Sequence, residues 1–228
     1  MMKHALLGFA LAGVAALSVP AAAEQPDAGG ASSGVRAAVE CLAHRDINAY
    51  TTLLRTPPHS NAERLEVQRL MPLLQRCRQG HEDDAFSASV PQLRAAVAGY
   101  LYTRDFATAP APRTPPLAPA PLLQPAQARN PAEVTPLAPT FALFDCATAA
   151  HPDLVRAYLA TAPASPEEQA AFRALTPGMV ACLPPGGSHQ LALGGAALRG
   201  VLAEMLYRWS AVQRDGPSSP FAAPASGH

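Results

Sequence analysis

The four cysteines fall into two pairs of equal spacing. Cys41 and Cys77 are 36 positions apart, as are Cys146 and Cys182, and the second pair is displaced from the first by 105. Laying residues 41–102 over 146–207 without a gap also matches Leu54/Leu159, Thr56/Thr161, Pro58/Pro163, Ser60/Ser165, Glu63/Glu168, Leu70/Leu175 and Pro72/Pro177. The match continues through Leu93/Leu198, Arg94/Arg199, Ala98/Ala203, Leu101/Leu206 and Tyr102/Tyr207, giving 14 identities in 62 positions. The chain is a tandem duplication. Its shared positions are mostly packing, capping and cross-linking residue types, which speak to fold rather than chemistry.

The N-terminus sets the compartment in which those cysteines would be oxidised. Met1-Met2-Lys3-His4 is a short positive start, followed by an apolar run from Ala5 to Val19 and by Ala21-Ala22-Ala23 before Glu24. This pattern predicts a signal peptide over residues 1–23, cleaved near Ala23, and places the mature chain in the periplasm or outside the cell. The run is shorter than the ~20 residues of a spanning helix, and no later segment is expected to cross a bilayer. Cleavage removes Lys3, the sole lysine, and leaves 16 Arg against 17 acidic residues, a net charge of −1. Phosphate backbones need a dense cationic footprint, so nucleic acid is not an expected partner.

In an oxidising compartment the cysteines read as disulfides. Sequence admits three pairings; the duplication favours Cys41 with Cys77 and Cys146 with Cys182. Neither half has the Cys-x-x-Cys or His-x-x-x-His spacing of a zinc site, so no metal or cofactor is expected. A unit of about 70 residues has a small core, and closing a loop of this length adds roughly 4 kcal/mol in the chain-entropy model.

The expected architecture is all-α: two disulfide-stapled units of about four helices each, at 35–106 and 140–212. Residues 107–139 hold ten prolines and read as an extended, solvated linker. Residues 24–34 and 213–228 share that composition and read as disordered ends. Within each copy the spacing is helical. Leu93, Ala96, Val97, Tyr100 and Leu101 line one face of the last helix, answered by Leu198, Val201, Leu202, Met205 and Leu206. The preceding helix carries Val67, Leu70, Leu74 and Cys77, answered by Phe172, Leu175, Met179 and Cys182, so each cysteine extends a buried stripe. Ser60-Asn61-Ala62-Glu63 and Ser165-Pro166-Glu167-Glu168 predict a capping box, the serine oxygen accepting from the third helical N–H and the glutamate returning to the serine's own N–H. Pro72 and Pro177 predict a kink or restart.

Few residues suggest chemistry. Ser60 and Ser165 lie in no Gly-x-Ser-x-Gly elbow and are explained by capping, so no catalytic residue is assigned. Arg94 and Arg199 are the polar pair kept in both copies, read either as internal forks that satisfy carbonyls and a carboxylate or as an anion site. Tyr102 and Tyr207 lie eight residues further on, on roughly the same side. A ligand-binding or catalytic site between the copies would therefore draw on Arg94, Arg199, Tyr102 and Tyr207. The histidines occupy no equivalent positions and read as surface residues. His81-Glu82-Asp83-Asp84 lacks the spaced oxygen ligands of a calcium loop.

The stretch from Cys146 to Tyr207 contains Ala-Thr-Ala-Pro-Ala-Ser-Pro-Glu-Glu, then Leu-Thr-Pro before Cys182, then Leu-Arg-Gly-Val-Leu-Ala-Glu-Met-Leu-Tyr. It resembles a group of small exported proteins of sphingomonad-type alphaproteobacteria with a paired-cysteine helical repeat. The resemblance spans both copies and implies no activity. Copy one has Ala-Gly-Tyr-Leu-Tyr where copy two has Ala-Glu-Met-Leu-Tyr, so any role of Glu204 is not shared. With 4 Arg and 5 acids in 140–212 against 9 and 8 in 33–106, copy two is the less charged unit. The expected function is non-enzymatic binding of a protein partner, or self-association, through repeat two.

Overall fold

The computed structural model describes residues 33–77, 88–113, 117–183 and 195–223. The signal peptide, residues 24–32 of the expected disordered start and the His81 acidic run lie outside them. Copy one comprises α1 (Ser33–Ala43), α2 (Asn48–Arg55), α3 (Asn61–Arg76) and α4 (Val90–Phe106). A one-turn α5 (Pro131–Val134) sits in the connection. Copy two follows with α6 (Ala138–Ala150), α7 (Pro152–Leu159), α8 (Pro166–Ala181) and α9 (Gly195–Asp215). Among the described residues, the only strand-like pairing is by isolated bridges.

The disulfides join Cys41 to Cys77 and Cys146 to Cys182, with Cα atoms 5.8 and 5.9 Å apart. Each pins the first helix of its copy to the end of the third. The helical periodicity lands where the apolar spacing puts it, with Leu70, Leu74, Leu93, Val97, Leu101, Leu175, Leu202 and Leu206 all buried. The cysteines depart from expectation. Cys41, Cys77 and Cys182 are half-buried and Cys146 is exposed. Cys77 and Cys182 cap the ends of α3 and α8, where the stripe runs out into the connecting turn.

The third-helix caps form twice, in a modified shape. Ser60 and Ser165 each accept from the N–H of the glutamate three residues on, at 3.1 Å in both copies. The glutamate does not return to the serine. Glu63 and Glu168 reach one residue further back, accepting from the N–H of His59 and of Ala164 at 2.6 Å. The serine N–H is already donated to the carbonyl of Pro57 or Ala162. This turn holds His59 and Ala164 at φ of 63° and 60°, a left-handed conformation that costs a residue with a Cβ and that both copies keep. Pro72 and Pro177 do not break α3 or α8, which run through them. Both prolines lie on the exposed side, where water satisfies the carbonyl each leaves without a donor.

The two copies dock through their last helices, α4 on α9, the most extensive helix contact in the molecule. Its centre identifies the symmetry. A Cβ placed on Gly200 would come within 2.3 Å of the Cβ of Ala95, and these two positions are equivalents under the 105-residue shift. The flanking contacts are reciprocal. Arg156 on α7 donates to the Tyr102 hydroxyl at 3.0 Å, while Thr51, the α2 equivalent of Arg156, lies close to the hydroxyl of Tyr207, the equivalent of Tyr102. When equivalents meet each other and neighbours exchange roles, the relation is an approximate two-fold axis, as in an isologous dimer.

The proline-rich connection is not a free spacer. Leu122, Leu123 and Val134 are buried, Ala128 bridges to Ser60, and Pro119 pairs with Ala222. The tail takes part as well. Helix α9 continues to Asp215, a 3₁₀ turn follows at Gly216–Ser218, and Phe221 is buried. The Ala120 N–H donates to the Phe221 carbonyl at 2.8 Å and the Ala223 N–H to the Ala118 carbonyl at 3.2 Å. Proline composition limits the segment to single turns and isolated bridges, but the apolar residues between the prolines still gain by burial, so the segment becomes a strap across the bundle.

Candidate functional site

The four side chains named from sequence fill two related environments. Arg94, in the second turn of α4, points to the end of α2. Its NH1 donates to the Leu53 carbonyl at 3.3 Å and to Glu63 Oε1 at 3.1 Å, and its NH2 donates to the Leu54 carbonyl at 3.2 Å. These bonds satisfy C-terminal carbonyls of α2 and the spare oxygen of the α3 cap glutamate, so one guanidinium fastens three helices. Its remaining edge faces the other copy. Nε donates to Glu204 Oε2 at 2.7 Å and NH2 to Glu204 Oε1, a bidentate fork. All five guanidinium N–H groups have acceptors.

Arg199 repeats the internal half of this arrangement. NH1 donates to the Tyr158 carbonyl, Thr161 Oγ1 and Glu168 Oε1, and NH2 to the carbonyls of Leu159 and Thr161. The guanidinium also lies 5.5 Å from the centre of the Tyr158 ring. The cross-copy half is missing, because the position equivalent to Glu204 is Gly99.

The Glu204 side carries further charge. Arg208, one turn on, approaches Glu204 Oε1 at 3.9 Å, donates to the Ala120 carbonyl at 2.7 Å and lies 5.4 Å over the Phe221 ring. Glu63, Arg94, Glu204 and Arg208 are all buried and form a neutral cluster. Burial alone would push the Arg94 guanidinium down, but Glu204 and then Glu63 outweigh it and hold the group above its ordinary value. Burial wins at Arg208, whose guanidinium is drawn below its ordinary value despite Glu204.

Tyr102 and Tyr207 are buried and both pack against Phe106, Tyr102 tilted with ring centres 6.5 Å apart and Tyr207 edge-on at 5.5 Å. Burial raises both phenols. The structure therefore brings Arg94 to Glu204 and each tyrosine to the opposite copy. Sequence reasoning assigned no role to Glu204 or Arg208. The signal for Glu204 was an acid inside an apolar helix face, opposite a glycine in the other copy.

Two other places hold polar groups. His59, Arg129, Asn130, Glu133 and Val134 line a recess of about 250 Å³ where the strap crosses the start of α3, but only Val134 is buried, so no polar group there is desolvated. His151 packs its ring on Gly178, where a Cβ would lie 2.3 Å away, and is a packing residue rather than a surface one. Among the described residues no group of His, Cys, Asp and Glu could hold a metal ion. The chain matches no family model, no curated protein and no solved structure.

Proposed function

We propose that this chain is a non-enzymatic binding protein of the periplasm or extracellular space, contacting a protein partner or a second copy of itself through repeat two. Two disulfides, and the absence of any membrane-crossing helix among the described residues, are compatible with such a compartment. The polar residues kept in both copies are occupied with caps, carbonyls and ion pairs, which supports a reading in which the repeat is conserved as architecture.

The observation that carries the choice of repeat two is the outward stripe of the third helix. In α3 it reads Leu65, Arg69, Pro72 and Arg76; in α8 the equivalents are Ala170, Ala174, Pro177 and Ala181, all eight exposed. Val180 beside it is 57% exposed. Charge-free, low-entropy side chains cost little to desolvate against another surface.

A photo-crosslinking residue at position 174 should give protein adducts in intact cells, and the same residue at 69 should not. Adducts at 69 with none at 174 would reverse the assignment. The mature N-terminus, expected at Glu24, is read by mass spectrometry of the exported chain.

A further inference from the structure

The approximate two-fold axis makes one comparison very specific. At Arg94 the outer edge of the guanidinium is closed by the Glu204 carboxylate, projected from α9 across the axis. At Arg199 the corresponding place, projected from α4, belongs to Gly99. A Cβ on Gly99 would meet nothing within 4 Å. The Arg199 Nε–H, whose counterpart is donated to Glu204, meets no acceptor among the described residues, while NH1 and NH2 are fully engaged. The side chain of Arg199 is 20% exposed and that of Arg94 6%.

The covering differs in the same sense. On the Glu204 side, Arg208, the Ala120 carbonyl of the strap and Phe221 of the tail seal the edge. The equivalent of Arg208 across the axis is Thr103, which is exposed, and Gly99 is only half-buried. One edge is shut by the chain itself, and its twin is left open by the described residues.

We propose that the notch between Arg199 and Gly99 binds an organic carboxylate, in the position that the Glu204 carboxylate takes at Arg94. The twin site fixes the chemistry: a planar carboxylate on the outer edge of a fork whose inner edge is already held. A single negative charge is favoured over a phosphate dianion, because Glu168 at 2.8 Å already balances much of the Arg199 charge. The missing side chain beyond Cα has the size and shape of propionate, and Thr103, the equivalent of Arg208, is exposed. This inference does not depend on the stripe of α8.

The test uses the full oxidised protein with arginine ¹⁵N-labelled, following the Nε–H resonances, with Arg199 assigned through Arg199→Lys. Sodium propionate at constant ionic strength should move the Arg199 Nε–H saturably and leave that of Arg94 in place. Sodium chloride should move neither. A blocked peptide carrying one glutamate, titrated alongside, distinguishes a free acid from an acidic side chain as the source of the carboxylate. In Gly99→Glu the Arg199 resonance should start near its ligand-bound position and ignore propionate; Gly99→Ala, which leaves the notch open, should keep the response. No movement of Arg199 in the wild-type protein, or an equal response to chloride, overturns the proposal without recourse to any variant. A propionate response that survives in folded Gly99→Glu also overturns it.

Discussion

Copies one and two share a fold, a disulfide and a fork, yet the two forks are differently embedded. Arg94 is sealed between helices of both copies with a carboxylate from each, whereas Arg199 serves its own copy and keeps contact with water. The internal bonds to the α2 or α7 carbonyls and the cap glutamate are common to both, so they are what the repeat needs to fold. The Glu204 bond is what the pair of repeats needs to stay docked in one register. Glu204 makes the approximate dimer asymmetric, and the strap and tail then cover the side it occupies.

That separation is sharpest under truncation. Arg94→Ala would leave Glu63 and Glu204 buried with no cation between them, a loss of about 3–5 kcal/mol. Arg199→Ala strands Glu168 near the surface, where water takes over, and the cost should be nearer 1–2 kcal/mol. Chemical denaturation of the two variants reads the difference directly. Equal losses would mean that the cross-copy carboxylate contributes nothing beyond what the repeat supplies for itself.

Reduction probes the copies differently. Each bridge closes a separation of 36 residues, so each should contribute about 3–4 kcal/mol in the chain-entropy model. Their accessibilities are unequal, since Cys146 is exposed and Cys41 only half so. Thiol trapping during mild reduction should therefore release Cys146 and Cys182 first, because exchange requires thiolate access to a sulfur. Release of Cys41 and Cys77 first would show that helix opening, rather than sulfur exposure, governs the order.

What was legible in the sequence is what a copy settles within itself. The periodic leucines, the Ser60 and Ser165 caps and the cysteine spacing each specify a local or intra-repeat contact, and the leucines are buried, the serines cap α3 and α8, and the expected bridges form. What depends on the meeting of the copies was not legible. Arg94 and Glu204 are 110 residues apart, and no periodicity links them. The strap was hidden by its composition: prolines dominate it, and the few apolar residues among them, Leu122, Leu123 and Val134, have no spacing that reveals a destination. Phe221 in the tail is the same case. A large aromatic in a polar, small-residue segment was the available sign that the segment is held down.

The helix crossing offers a smaller contrast. A Cβ on Gly200 collides with Ala95, whose own side chain and backbone sit at 2.3 and 3.2 Å, so Gly200→Ala must push α4 and α9 apart at a cost of about 1–3 kcal/mol. Gly99, four residues past Ala95, has open space, and Gly99→Ala should instead gain up to about 1 kcal/mol from helix propensity. Thermal melts that moved the same way for both would place the crossing elsewhere along the helices.

The subtlest difference is between acids at equivalent places on the first helix of each copy. Glu40 on α1 is exposed, while Asp145 on α6 is half-buried and accepts from Trp209 Nε1 at 2.9 Å. Burial pushes the Asp145 carboxyl above the usual carboxylate range, and neither the Trp209 bond nor the charge of Arg208 fully reverses it. A raised carboxyl binds a proton in the folded chain at a pH where the unfolded chain has released it. Its contribution is therefore complete below the unfolded value of ~3.9 and declines as pH rises through the folded one. Asp145→Asn keeps an acceptor for Trp209 and removes the charge, so it should match the wild type in acid and exceed it slightly, by under about 1 kcal/mol, at neutral pH. Parallel pH profiles for Asp145→Asn and the wild type would mean that the Trp209 bond and Arg208 already offset the burial of that carboxylate.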